Sequence, residues 1–223
     1  MQFKAVIFDL DGTLIDSMGI WYEVDKQYLL KRGIHVPDNL FDEIEGGNSF
    51  IEIAQFFKQR FELPDSIEEI MDEWTEMVEE YYRNRISLRP GVAKLLNLLK
   101  QHQIKLGIGT SNSMKLTKLV LSVNGVLDNF DHIVAGCEAI KGKPFPDIFL
   151  SVAEVLRVKP KECLVIEDVL VGVQAAKNAG MGVYAVYDEY SKDKFAQIQE
   201  TADFFAQDFS QLEEKIKEDL ALQ

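Results

Sequence analysis

The sequence predicts an α/β fold: a doubly wound parallel sheet, interrupted near its start by an all-helical segment. Three observations lead there. A short apolar run, Ala5-Val6-Ile7-Phe8, ends abruptly in acid, too short for a helix and suited to a buried parallel strand. From about residue 18 to 85 the apolar spacing is helical, with no convincing strand. Beyond that, strand-like and helix-like segments alternate, the pattern of a parallel sheet covered on both faces.

After the opening strand, residues 20–32 carry Trp21, Val24, Tyr28 and Leu29 at helical spacing, and Gly33 is placed to end that helix. Gly46-Gly47-Asn48-Ser49 reads as a turn, and Phe50, Ile53, Phe56, Phe57 and Phe61 restart the helical period. Pro64-Asp65-Ser66 starts a further helix through Ile67, Ile70, Trp74, Met77, Val78 and Tyr81. At this spacing the aromatics predict a helix-packing core rather than a ligand box. Glu68, Glu69, Asp72, Glu73, Glu76, Glu79 and Glu80 predict a solvated acidic face.

Arg89-Pro90-Gly91 marks the return to the sheet, with a helix over 92–101. Strands are expected at 105–109, 132–135, 163–166 and 182–186, and an edge strand near 202–205. The core is therefore residues 1–17 and 86–223, with a helical domain at 18–85 inserted just past the first acids, a natural lid.

A net charge of −13 speaks against nucleic-acid or anionic-membrane binding, so any phosphate site has to attract locally. Cys137 and Cys163 read as small core residues of a reducing compartment, and no Cys/His cluster suggests zinc. The first strand starts too close to Met1 for a signal peptide, and no apolar run spans a bilayer, so a cytoplasmic location is expected.

Four strand or helix ends carry reactive groups. Asp9 and Asp11 follow the first strand, where ligands bind in doubly wound sheets, and adjacent anions need a hard cation or a proton. The alternative for Asp9-Leu10-Asp11-Gly12 is a turn with solvated acids. Thr110-Ser111-Asn112-Ser113 offers hydroxyls and free N–H groups for a phosphate, or simply caps the helix from Met114. Pro144 and Pro146 fix the backbone beside Lys143, which suits a fixed point charge, although a lone Lys is otherwise a surface residue. Glu167 and Asp168 end another buried strand, where Asp168 is either an N-cap or part of a metal site begun by Asp9 and Asp11. Gly172 and Gly180 read as packing and helix-stop glycines. The four in this order, at one end of one sheet, are hard to obtain by chance.

These residues resemble the haloacid dehalogenase superfamily, in its phosphatase branch with a helical cap: Asp9-Leu10-Asp11-Gly12-Thr13, then Thr110, Lys143, and Glu167-Asp168. The similarity covers essentially the whole chain, with the look of beta-phosphoglucomutase-like and phosphoglycolate-phosphatase-like members. It implies a Rossmann-like sheet of order 3-2-1-4-5. It also implies that Asp9 is the nucleophile forming an aspartyl-phosphate, and that Asp11 is the acid and then the base. Mg²⁺ would be held by Asp9, the Asp11 backbone carbonyl and Asp168, with Glu167 near the shell through water. Thr110, the neighbouring N–H groups of Ser111 and Asn112, and Lys143 would hold the phosphoryl oxygens.

The cap departs from the mutase pattern. Trp21 stands where the mutase has a proton-handling His, and Gly47-Asn48-Ser49 where it grips a second phosphate with Arg. Trp21, Asn48 and Ser49 are the candidate cap contacts, with core packing the alternative for Trp21. The expected function is Mg²⁺-dependent hydrolysis of a small phosphomonoester, such as a sugar or polyol phosphate, by a monomer or weak dimer without nucleic-acid or membrane partners. A phosphosugar mutase is the nearest competitor. A dehalogenase would need neither metal nor Asp11, and a non-catalytic phosphate- or partner-binding protein would not need every motif position intact.

Overall fold

The computed structural model describes residues 3–37, 40, 49–136 and 141–221. A parallel sheet forms from β1 (Ala5–Phe8), β2 (Lys105–Thr110), β3 (His132–Ala135), β4 (Cys163–Glu167), β5 (Gly182–Val186) and β6 (Phe204–Ala206), in the order β3-β2-β1-β4-β5-β6. The implied order thus holds and is extended by one edge strand. β1 is central and buried along its length because both faces are covered. Successive side chains alternate between two cores, Val6 and Phe8 with Leu106, Ile108, Leu164 and Ile166 on one face. Ala5 and Ile7 join Val152, Val165 and Val183 on the other.

Between β1 and β2 the described residues form α1 (Met18–Lys31), α2 (Phe50–Arg60) and α3 (Ile67–Asn84), then α4 (Val92–Gln101). Ser49 and Ser66 start α2 and α3 with complete capping boxes, closed by Glu52 and Glu69. Their apolar faces meet in an aromatic cluster where Trp74 packs edge-on against Phe57 and Tyr28. The remaining helices are α5 (Met114–Val123), α6 (Asp147–Leu156), α7 (Leu170–Asn178), α8 (Phe195–Thr201) and α9 (Phe209–Asp219). No helix among the described residues is long and apolar enough to cross a membrane. Cys163 is buried and unpaired, whereas Cys137 lies outside the described residues.

The acidic face of α3 departs from the expectation in two places. Glu73 pairs with Arg32 at 2.6 Å and Lys31 at 2.7 Å, tying α3 to α1. Glu79 pairs with Lys115 at 2.7 Å, tying α3 to α5. A charge run read from sequence shows its sign but not the cations that other elements bring to it.

Asp25 on α1 is buried at 8% exposure, and among the described residues no hydrogen bond or ion pair reaches its carboxylate. Burial raises its pKa to about 8. The folded value therefore lies above the unfolded one, so its contribution to stability is complete below about pH 4 and declines as pH rises toward 8. The decline is about 1.4 kcal/mol per pH unit inside that window. Asp25→Asn is expected to raise the melting temperature more at pH 8 than at pH 5. Thermal unfolding at both pH values checks this, and equal shifts would contradict it.

Candidate active site

β1 and β4 are neighbours in register, Phe8 opposite Ile166, and the Asp9 N–H donates to the Ile166 carbonyl at 3.0 Å. Asp9 and the pair Glu167-Asp168 therefore leave the carboxyl edge of the sheet side by side. Carboxylate oxygens of Asp9, Glu167 and Asp168 all lie within 4.8 Å of one another, and all three residues are buried. Lys143, before α6, is 4% exposed. Its ammonium donates to Asp9 Oδ1 at 2.6 Å and to Glu167 Oε1. The surface alternative for Lys143 is thereby removed.

These groups cannot be solvated, so their charges must balance one another. Burial pushes Asp9 up to about 8, opposed by Lys143 and reinforced by Glu167. Burial likewise raises Asp168 well above the carboxylate range. For Lys143, burial works against the charged form, yet Asp9 and Glu167 outweigh it and hold the amine above its ordinary value.

Counted as ions, three carboxylates against one ammonium carry a net charge of −2, which a divalent cation would offset. Asp168 accepts from the Thr13 hydroxyl at 2.6 Å on Oδ1, while its buried Oδ2 has no hydrogen-bond partner. The backbone also makes room for this oxygen. A Cβ on Gly12, whose φ is +82°, would lie 2.4 Å from it. The donor set, all oxygen and anionic, fits Mg²⁺.

Glu167, not Asp168, serves the start of α7. Its Oε2 accepts from the N–H groups of Asp168 at 2.8 Å and Val169 at 3.0 Å. The N-cap alternative for Asp168 does not hold, because the N-cap position is Val169. Gly172, on the first turns of α7, packs directly on Glu167, since a Cβ there would fall 1.9 Å from Oε1.

The Asp11 carboxylate has hydrogen-bond partners of its own. Its Oδ1 accepts from Ser17 at 2.6 Å, from the Trp21 indole at 3.1 Å and from the Tyr82 hydroxyl. Its Oδ2 accepts from the Asn112 amide at 2.7 Å. Trp21 thus lies against a site acid, and its ring also packs edge-on to Phe50 at 5.6 Å. Asn112 reaches Asp11 by its side chain, a contact its place among the hydroxyls did not suggest.

Thr110 ends β2 at 1% exposure, and its hydroxyl accepts from the Asn112 N–H at 3.1 Å. Ser113 caps α5 at the Leu116 N–H. Ser111 offers its carbonyl to the Phe50 N–H at 3.2 Å, which brings the start of α2 onto the loop after β2. Ser49, buried at the same place, spends its hydroxyl in the capping box with Glu52. Asn48 lies outside the described residues.

Sequence reasoning passed over Tyr82, Ser17 and Arg89. Arg89 donates to the Gly12 carbonyl and, at 2.5 Å, to that of Tyr187, bracing the turn between Asp11 and Thr13. The only signal was a cation ahead of Pro90-Gly91, which reads as a boundary. Tyr82 sits at a helical core position, and nothing in that spacing shows where its hydroxyl ends.

The sheet order, the acids at its carboxyl edge and the buried lysine define a class of enzyme. A family model described as haloacid dehalogenase-like hydrolase matches residues 6–186, and the chain belongs to that family. It is 35% identical over 184 residues to the bifunctional riboflavin kinase/FMN phosphatase of Arabidopsis thaliana, covering 82% of this chain and 48% of that protein. It is 31% identical over 192 residues to the phosphorylated carbohydrates phosphatase of Thermotoga maritima, covering 86% of this chain and 88% of the relative. The chain therefore spans about half the length of the first relative and most of the second. Among solved structures, CbbY from Rhodobacter sphaeroides in complex with phosphate is similar at TM-score 0.83 and 26% identity, over 95% of this chain and 96% of that one.

Proposed function

We propose that the chain is a Mg²⁺-dependent phosphatase that hydrolyses small phosphomonoesters, such as sugar or polyol phosphates, through an aspartyl-phosphate on Asp9. The observation that carries this reading is the position of Asp9, fixed between the Lys143 ammonium and the Glu167-Asp168 pair. The names of its relatives, phosphatases of phosphorylated carbohydrates and of FMN, support the substrate class.

In the first half-reaction an Asp9 oxygen bonds to phosphorus and the bond to the ester oxygen breaks, Asp11 giving that oxygen its proton. In the second, Asp11 takes a proton from water, the water oxygen bonds to phosphorus, and the bond to Asp9 breaks, returning the carboxylate and inorganic phosphate. Lys143, the Thr110 hydroxyl and the neighbouring backbone N–H groups hold the phosphoryl oxygens. Asp9, Asp168 and the Asp11 carbonyl, with Glu167 beside them, would hold Mg²⁺, whose charge would offset the repulsion between the nucleophile and an anionic phosphate.

Residues 18–85 act in this scheme as the cap over a core of residues 1–17 and 86–223. The contacts of Trp21 and Tyr82 with Asp11, and of Phe50 with Ser111, support that role.

Phosphate release from glucose 6-phosphate, fructose 6-phosphate, sorbitol 6-phosphate, glycerol 3-phosphate, β-glucose 1-phosphate and 4-nitrophenyl phosphate tests the reading. Release is expected to fall about 10²-fold or more with a chelator and to return with added Mg²⁺. Isomerised product from β-glucose 1-phosphate without phosphate release would favour a mutase, and activity indifferent to the chelator would contradict the metal assignment.

A further inference from the structure

Resting on that reading, we infer that Tyr82, with Trp21, is a positioning residue for the leaving-group proton: it fixes the Asp11 carboxyl by a hydrogen-bond network carried on the helical insert.

The amide and indole donors of the network have fixed directions. Asn112 Oδ1 accepts from the Ser113 N–H at 2.7 Å, so the amide must present its NH₂ to the other side. That NH₂ donates to Asp11 Oδ2 at 2.7 Å and to the Tyr82 oxygen at 3.0 Å. The Trp21 indole, which can only donate, reaches the Tyr82 oxygen and Asp11 Oδ1, both at 3.1 Å. The Tyr82 oxygen receives these two donors, and its hydroxyl donates to Asp11 Oδ1, which also accepts from the neighbouring Ser17 hydroxyl at 2.6 Å. Burial first, and the neighbouring Asp11 charge next, hold the phenol well above its ordinary range, so it stays a donor.

The network is carried on packed elements. Tyr82 is fully buried on α3, Trp21 is on α1, and their rings meet edge-on at 6.3 Å. Asn112 comes from the loop after β2 and is 4% exposed. Three separate elements therefore converge on one carboxyl whose own backbone follows β1. The orientation of Asp11 is set where the insert meets the sheet, and the insert has to be seated for the network to exist. A group acting on the departing oxygen tolerates little misplacement, and an error near 1 Å is worth about 10²-fold in rate. Tyr82 does not touch the reacting atoms in this scheme and acts only through Asp11.

The test separates proton donation from general damage by changing the leaving group. An alkoxide needs its proton in the transition state, whereas 4-nitrophenolate departs as a stable anion. Tyr82→Phe keeps the buried ring and removes only the hydroxyl. It is expected to lower kcat/KM about 10–100-fold for the best alkyl phosphate of the panel, and less than about threefold for 4-nitrophenyl phosphate. In an Asp11→Asn background the same change is expected to cost less than about threefold on the alkyl ester, because residues acting through one another are not additive. Trp21→Phe should show the same selectivity with a smaller loss.

Equal losses on both esters would overturn the inference, since a smaller folded fraction or a displaced cap acts on both alike. So would a gain in activity, which would make the network a latch, or a full loss persisting in the Asp11→Asn background. If the wild-type chain releases phosphate from neither ester in Mg²⁺, the phosphatase reading itself fails and this inference with it. Wild-type turnover together with a Tyr82→Phe loss that does not depend on the leaving group overturns the inference alone.

Discussion

Asp9→Asn is expected to abolish phosphate release, by at least about 10⁴-fold, while raising the melting temperature of the protein in the absence of divalent cations. The two effects have opposite signs because the proposed mechanism requires Asp9 for chemistry, whereas its burial is unfavourable for folding. In the proposed nucleophile role it would have no substitute, because the amide oxygen of Asn does not form the bond to phosphorus that a carboxylate forms. As a buried acid it is one of three sharing a single ammonium, with its pKa pushed up to about 8. Asn has a similar volume and still offers an oxygen to Lys143, so the hydrogen bond now at 2.6 Å is retained in kind while one buried charge disappears. Phosphate release and thermal unfolding of the same preparation check both halves. Residual turnover within tenfold of wild type would remove Asp9 from the nucleophile role, and a large fall in melting temperature would contradict the charge balance described for this site.

The features legible in the sequence were those with local causes. Ala5–Phe8 is apolar on both faces and short, which a central parallel strand requires, and the strand at 132–135 and the helix at 92–101 coincide with the observed elements. Pro64-Asp65-Ser66 marks the start of α3, where Ser66 is the N-cap and closes a capping box with Glu69. The edge strand, expected near 202–205, lies at Phe204–Ala206, because an edge has one partner and less apolar content to fix its ends. At the site, Asp9, Glu167 and Asp168 were conspicuous because acids that end buried strands have no reason to be there in packing alone. Contacts made across the chain were not legible. Tyr82 lies 71 positions from Asp11 and its helical spacing accounts for the ring, leaving no signal for the hydroxyl. Arg89, 77 positions from Gly12, reads as the end of the helical segment. Glu79 reads as solvated until Lys115 is brought to it by α5.

Lys143→Ala carries the second large effect, and here rate and stability fall together. The ammonium donates to Asp9 Oδ1, and in the proposed phosphate-holding role its removal is expected to lower kcat/KM by about 10²–10³-fold. Its loss also leaves Asp9, Glu167 and Asp168 buried with no cation among the described residues in contact with them. Breaking a buried pair from one side destabilises by about 3–5 kcal/mol. For a chain of this size, each kcal/mol moves the melting temperature by about 2–4 °C. The two losses separate on addition of Mg²⁺. A divalent cation at the three acids restores much of the charge balance, so the deficit in melting temperature should narrow as Mg²⁺ is raised. On the proposed mechanism the rate should not recover, because the phosphoryl oxygens would still lack the Lys143 donor. Melting curves and kcat/KM across a Mg²⁺ titration read both. A variant whose rate recovers along with its stability would show that Lys143 serves only to balance the acids, and one that loses less than about tenfold in rate would remove it from the phosphate site.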